Sequence, residues 1–261
     1  MLIRRLGWAG LELEAGGQTA VVDLLQDTSW LEPFVGPPRT PLPSPSRPAD
    51  LALVTHLHAD HADPAALRDV LAPGALVLRP APSTGTGLET AALDQAEQGF
   101  AETKLDTRVV EPWESMEIGP FRVCAVPAAD GAGDPQVSWV IAAEGTTVIH
   151  CGDTMFHGWW WRAALRYGPF DVAFLPVNGV LVDFPHRQPS TPFPAAMTPE
   201  QAAAAARALG ARRAVPIHYD TFHQPPLYDA MEGADEAFLR ASSACGVAAE
   251  LVEPGAELAA A

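Results

Sequence analysis

Leu51-Ala52-Leu53-Val54-Thr55-His56-Leu57-His58-Ala59-Asp60-His61-Ala62-Asp63-Pro64 is the stretch that decides the fold. Its first four residues are apolar enough for a buried strand. Such a strand delivers its last residues to a sheet edge, where loops carry chemistry. In an extended segment residues two apart point the same way, so His56 and His58 can aim their imidazoles at one point. Asp60 and His61 arrive as the chain turns and can aim at a second point close by. Asp63 followed by Pro64 reads as a helix N-cap with proline at the first helical position. Leu67, Val70 and Leu71 form that helix's buried stripe. A turn pinned between a buried strand and a capped helix is rigid, as a metal site requires. Three of the chain's eight histidines fall within six residues here. A solvated loop gives no reason for that concentration.

Upstream, residues 11–14 alternate with period two, Gly16-Gly17 supplies a tight turn, and residues 19–25 run back as a second strand. Asp23 interrupts that second strand, and a carboxylate in an apolar strand needs a partner unless it is exposed on an edge. Residues 28–50 are rich in proline and lack periodicity, so they read as a long loop. Loops of this length are lids or disordered segments. Trp30, Phe34 and Val35 suggest that this one packs, bordering a substrate cleft.

Downstream, residues 75–78 form a short strand, and residues 88–99 a helix ending at glycine. Residues 121–126 form a strand, and residues 137–142 and 146–150 the arms of a hairpin around Glu144-Gly145. Residues 171–175 form another strand. Thr198-Pro199-Glu200-Gln201 is a capping box that opens an alanine-rich helix running to Leu209 and stopping at Gly210. Residues 214–217 are a strand ending at His218, followed by a helix over residues 235–244 and a strand over 248–252. Several apolar strands therefore end in a polar residue: His56, Asp153, Asn178 and His218. Pattern alone assigns the α/β class, in which sites are built at strand ends.

The 261 residues, 48% hydrophobic, can bury a full core. A net charge of −16 and a pI near 4.7 repel phosphate backbones, and no basic run offsets this, so nucleic acid is not the expected partner. No stretch reaches the length of a membrane span. The apolar part of the N-terminus is too short for a signal peptide. Cys124, Cys151 and Cys245 are odd in number and scattered, so no disulfide framework is expected. The cytoplasm is the expected compartment.

The HxHxDH spacing of His56, His58, Asp60 and His61 resembles the signature of the metallo-β-lactamase superfamily. Cys151-Gly152-Asp153-Thr154 looks like that family's aspartate bridging two metals. Val215-Pro216-Ile217-His218-Tyr219 looks like its final histidine ligand. Leu6-Gly7-Trp8-Ala9-Gly10, Asn178-Gly179 and Met197-Thr198-Pro199-Glu200-Gln201-Ala202 resemble the branch that includes L-ascorbate-6-phosphate lactonase and related metal-dependent hydrolases. The resemblance covers nearly the whole chain. It implies one domain over residues 1–261, built as a four-layer αββα sandwich. It also implies that Asp23 braces the histidine loop, and that His56, His58, Asp60, His61, Asp153 and His218 hold one or two divalent ions. Zinc is the first expectation, with manganese or iron as alternatives.

One position departs from the family pattern. A histidine usually follows the strand over residues 121–126, and here Asp130 stands in its place. Asp130 binds the first metal with His56 and His58, giving an oxygen-rich site that favours manganese or iron. Alternatively that site is weak and one metal sits on Asp60, His61, Asp153 and His218, or Asp130 is a loop carboxylate and another residue completes the site. His150 and His157 are the substitutes at hand, but alternation puts His150 on the opposite face from Asp153.

A divalent ion lowers the pKa of water to about 7, so the resemblance implies hydrolysis by hydroxide of a lactone, ester, amide or phosphodiester bond in a small metabolite. Asp60, His61 and Asp153 stand at the reacting centre. Asn178, Arg187 and Tyr219, and with them His186 and His223, follow strand ends and are candidate substrate contacts. A phosphodiesterase acting on a larger, lipid-like substrate is the alternative, and a non-catalytic ligand-binding member of the fold is a third reading. Trp159, Trp160 and Trp161 cannot all face one core on a helix. One is expected at the cleft or at a subunit contact, so a homo-oligomer stays open.

Overall fold

Strand alternation and turn chemistry build two sheets in the computed structural model, which describes residues 1–258. The first sheet holds β1 (Leu2–Arg5), β2 (Leu11–Ala15), β3 (Gln18–Val22), β4 (Ala49–Leu53), β5 (Leu71–Arg79) and β6 (Asp106–Val109), in sequence order. Its first three strands are an antiparallel meander, and β3 to β6 run parallel. The second sheet is assembled from β7 (Ser115–Ile118), β8 (Phe121–Pro127), β9 (Val137–Ala143), β10 (Thr146–His150), β11 (Val172–Pro176), β13 (Arg213–Ile217) and β15 (Ala248–Ala249). Its order is β15-β13-β11-β10-β9-β8-β7, antiparallel from β7 to β10 and parallel beyond. A separate two-stranded ribbon pairs β12 (Leu181–Val182) with β14 (Tyr228–Asp229).

The inner faces of the two sheets share one core. Leu11, Leu13, Leu51 and Leu53 of the first sheet lie in it with Val123, Trp139, Ile141 and Ile217 of the second. Alternation sends Ala52 and Val54 to the other face of β4, where they meet Leu67 of α2 (Pro64–Val70) and Phe100 of α3 (Asp94–Thr103). On the far side, α4 (Trp160–Tyr167), α5 (Pro199–Leu209) and α6 (Ala234–Cys245) cover the second sheet through Trp160, Ala206 and Phe238. The result is the αββα sandwich. Trp139 ties its layers together next to the histidine motif, because its indole donates to the Val54 carbonyl across the sheets at 3.1 Å.

Local chemistry sets the element ends. The Asp63 carboxylate accepts from the Ala66 amide at 2.9 Å, and from the Gln26 and Asp27 amides at 3.0 Å, with Pro64 opening α2. Thr198 and Gln201 form the reciprocal capping box of α5, which stops at the left-handed Gly210.

Several boundaries differ from expectation. The helix expected over residues 88–99 is α3, shifted to Asp94–Thr103, and Gly99 lies inside it. A Cβ at Gly99 would sit 2.9 Å from Cγ of Pro64, so this glycine permits close approach of α2 and does not end the helix. The strand expected over residues 19–25 stops at Val22 because Asp23 takes a left-handed φ of 43° and turns the chain. The proline-rich segment contains one short helix, α1 (Glu32–Val35). The last strand is only two residues long.

Candidate metal centre

Strand ends from both sheets converge on one edge of the sandwich. β4 delivers Thr55 to His61, β8 leads to Asp130, β10 leads to Asp153, and β13 leads to His218. His56, His58, Asp130 and Asp153 bring potential ligand atoms within 4.8 Å of one another. Two further groups do the same: His56 with Asp60 and His61, and His61 with Asp153 and His218. Asp153 is common to the first and last. Nε2 of His61 and Nε2 of His218 each lie 3.5 Å from Oδ2 of Asp60. Nε2 of His56 lies 3.6 Å from Oδ1 of Asp153, and Nε2 of His218 lies 4.0 Å from its Oδ2. These gaps are too long for hydrogen bonds. Donors about 2.0–2.2 Å from a shared tetrahedral ion stand roughly 3.3–3.6 Å apart.

The other nitrogen of three of these imidazoles is held. Nδ1 of His61 is 2.7 Å from Oδ2 of Asp23, so it donates there and leaves Nε2 as the atom turned toward the centre. Asp23 also accepts from the Thr55 amide at 2.8 Å and the Thr55 hydroxyl at 2.7 Å. That hydroxyl, its proton given to Asp23, accepts from Nδ1 of His56 at 3.0 Å. Nε2 of His58 is taken by Asp134 at 2.9 Å, which leaves Nδ1 facing Asp130 at 3.8 Å. The Trp8 indole donates to Asp60 at 3.1 Å, and its ring lies 3.9 Å from that of His218. Gln136 donates to Asp153 at 2.8 Å. Trp8, Asp23 and His218 all adopt a left-handed φ, of 42°, 43° and 60°. Such strain costs on the order of 1–3 kcal/mol per residue and clusters at functional sites.

The fit to a cation rests on buried nitrogens without partners. Nε2 of His56, His61 and His218 is buried and makes no hydrogen bond. An orphaned buried polar atom costs about 1–3 kcal/mol, and three aimed at two carboxylates are the donor set a divalent ion takes. Charge tells the same story. Burial opposes protonation of His61, but Asp60 and Asp23 outweigh it and raise its pKa to about 9. Burial likewise opposes protonation of His58, while Asp130, Asp134 and Asp153 raise it to about 10. His56 is pushed well below the usual histidine range by burial and by His61 and His58. Without a cation, His58 and His61 therefore carry protons at neutral pH. Zinc added to chelator-stripped protein in weak buffer at pH 7 is expected to release protons, read by a pH indicator, with binding weakening as pH falls. Uptake without proton release would contradict this arrangement.

A cavity of about 290 Å³ opens on this centre, with His58, Asp60, Asp130 and Asp153 in its wall. Trp30, Phe34 and Val35 of the proline-rich segment line it, as do His186 and Arg187. Arg187 donates to the Gly131 carbonyl. Asn178 and Tyr219, expected as substrate contacts, do not line the cavity. Asn178 is fully buried and donates to the Tyr228 hydroxyl at 3.0 Å. Tyr219 accepts from Arg5 at 3.0 Å and packs under that guanidinium. His223 lies near Asp229, and His157 stacks on Trp160 at 3.8 Å. His150 donates to the Ala9 carbonyl at 2.7 Å and sits 3.9 Å from Asp23, behind the ligands. Trp160 is core, and Trp159 and Trp161 are exposed away from the cavity, whose tryptophan is Trp30.

Sequence reasoning missed Asp134, Gln136 and Tyr228. Asp134 had a faint signal, a second carboxylate four residues after Asp130 in the same glycine-containing loop. Tyr228 had none, since it stands in a two-residue strand too short to show a period.

The beta-lactamase superfamily domain model matches residues 20–219. A UPF0173 metal-dependent hydrolase of Pyrococcus furiosus is 29% identical over 210 residues, covering 76% of this chain and 78% of that protein. Igni18, a metallo hydrolase of Ignicoccus hospitalis, superposes with a TM-score of 0.66 at 20% identity, covering 98% of this chain and 97% of that one. An isothiocyanate hydrolase from Delia radicum gut bacteria superposes with a TM-score of 0.71 at 19% identity, covering 100% and 99%. At such identities the two structures speak for the fold alone. By its matched residues, its sandwich and its histidine turn, the chain belongs to the metallo-β-lactamase superfamily, in the company of its metal-dependent hydrolases.

Proposed function

We propose that the chain hydrolyses an ester, lactone, amide or phosphodiester bond of a small substrate at a centre for two divalent cations. His56, His58, Asp130 and Asp153 would hold one, and Asp60, His61, Asp153 and His218 the other. Zinc suits the imidazoles, while Asp130 makes the first group oxygen-rich and admits manganese or iron. The observation that carries this reading is the set of three buried, unpartnered Nε2 atoms facing Asp60 and Asp153. A bound cation supplies Lewis acidity and hydroxide at neutral pH.

The chain's own residues do the rest. Asp23, Thr55 and Asp134 fix the imidazole tautomers. Trp8 and Gln136 orient the two carboxylates from behind. Tyr228 lines the cavity, and its oxygen accepts from Asn178, so its own proton is left for an acceptor there. Burial, with Asp60 and Asp153 adding to it, keeps this phenol protonated well above the usual tyrosine range. It can donate to a substrate oxygen as negative charge develops. Tyr228→Phe is expected to lower kcat on the order of 10²-fold with KM and metal content little changed. An unchanged kcat would remove Tyr228 from the reaction.

Protein purified without chelators tests the whole reading by elemental analysis. Bound zinc, manganese or iron, lost to EDTA together with hydrolysis and restored by the ion, is the expected result. Metal-free protein with full activity, or no hydrolysis when loaded, would refute it. Three free cysteines, two of them buried, support a cytoplasmic setting. No helix among the described residues is long and apolar enough to cross a membrane.

A further inference from the structure

One wall of the cavity is a continuous run of aromatic rings. Trp30 stands at the mouth, 46% exposed, with its ring centroid 5.6 Å from that of Phe34. Phe34 meets Phe184 edge to face at 6.3 Å, and Phe184 lies 6.4 Å from Tyr228. Tyr228, only 6% exposed, closes the run beside the metal centre. Val180, Val182 and Ala195 add aliphatic surface. Such a wall binds by excluding water from apolar surface.

Away from the ligand carboxylates the lining is largely uncharged. Asp60, Asp130 and Asp153 line the cavity, and Asp134 stands behind His58. Arg187 is the one arginine or lysine in the lining, and one of its terminal nitrogens donates to the Gly131 carbonyl. His186 lies stacked on Phe184, with ring centroids 5.6 Å apart and planes 17° apart. A phosphate or carboxylate carried away from the reacting centre would lie against apolar rings, with Arg187 as the one basic side chain beside it. The cavity's 290 Å³ would hold roughly ten water molecules at ~30 Å³ each, room for an aryl or medium-chain alkyl group.

We infer that the substrate is an uncharged carboxylic ester or lactone whose acyl part is aryl or medium-chain alkyl, seated along Trp30, Phe34 and Phe184 with its carbonyl oxygen toward Tyr228. This rests on the hydrolytic reading above. In the reaction the oxygen of water bonds to the acyl carbon and the bond from that carbon to the leaving oxygen breaks. One water proton goes to the leaving alcohol oxygen and the other to solvent, leaving a carboxylate.

Zinc-loaded protein tests the inference with p-nitrophenyl hexanoate, mono-p-nitrophenyl glutarate and bis(p-nitrophenyl) phosphate. The hexanoate is expected to exceed both charged probes in kcat/KM by at least roughly tenfold. Phe184→Ala should raise its KM by roughly tenfold while kcat and metal content hold. Calorimetric titration with 2-octanone and with dibutyl phosphate reads the same preference without turnover. Binding of 2-octanone, weakened by Phe184→Ala, supports the inference, and if no ester is then hydrolysed it is the hydrolytic reading that falls. Preference for the glutarate or either phosphate probe overturns the inference and leaves hydrolysis standing. If neither ligand binds and no probe is hydrolysed, both fail.

Discussion

Replacing Asp153 by alanine is expected to abolish hydrolysis and strip both cations. This carboxylate alone belongs to two of the ligand groups that meet at the centre without sharing a histidine. It lies 3.6 Å from His56 on one side and 4.0 Å from His218 on the other, held by Gln136. A cation's charge stabilisation is worth several kcal/mol. At about 1.4 kcal/mol per decade, its loss lowers kcat/KM for p-nitrophenyl hexanoate on the order of 10³-fold or more. Elemental analysis and kinetics check this together. A variant that keeps two metals and a tenth of its activity would contradict the shared role of Asp153.

Asp23→Ala is expected to damage the fold as well as the site. Asp23 is 1% exposed and accepts from the Thr55 amide, the Thr55 hydroxyl and Nδ1 of His61. Alanine leaves these donors in the interior with no acceptor. Breaking a buried charged network from one side costs about 3–5 kcal/mol. For a chain of this size that is a fall in Tm of roughly 10 °C. Loss of the tautomer constraint on His61 lowers metal affinity about 10–100-fold besides. Asp23→Asn keeps the volume and one acceptor oxygen, so it should fold with an intermediate Tm and still bind metal weakly. If the alanine variant melts within a degree or two of the parent with full metal content, Asp23 is not the brace.

How much of this was legible follows from how local each feature is. His56, His58, Asp60 and His61 sit in one strand-turn-helix unit, so spacing alone aims them. Asp153 and His218 were readable as strand-end residues because both sheets present their ends to one edge. The same rule misplaced Asn178, since a strand end fixes where a residue is and not which way it points. Here the residue is fully buried and serves Tyr228. Tyr219 failed for a related reason. Residues adjacent in an extended segment point to opposite sides, so a neighbour of the ligand His218 is turned from the centre and pairs with Arg5 instead. Gly99 looked like a helix stop because the contact that requires it, with Pro64, joins residues distant in sequence. Asp134 comes from a loop and Tyr228 from the two-residue β14, and no periodicity marks such residues.

Asp130 illustrates the boundary between the two kinds of evidence. The sequence shows that it stands where a histidine is usual, and leaves three roles open. In the structure its Oδ1 accepts from the Ala132 amide and, at 3.1 Å, from the Asp134 amide, which shapes the loop. Its Oδ2 remains toward His58 at 3.8 Å. One oxygen builds the turn and the other faces the centre, which favours the ligand role.

Anomalous scattering at the zinc edge, from crystals grown with zinc and without chelator, tests the central claim most directly. The account predicts two peaks flanking Asp153, one among His56, His58 and Asp130 and the other among Asp60, His61 and His218. No peak among these residues, or peaks bound only to surface carboxylates elsewhere, would contradict it.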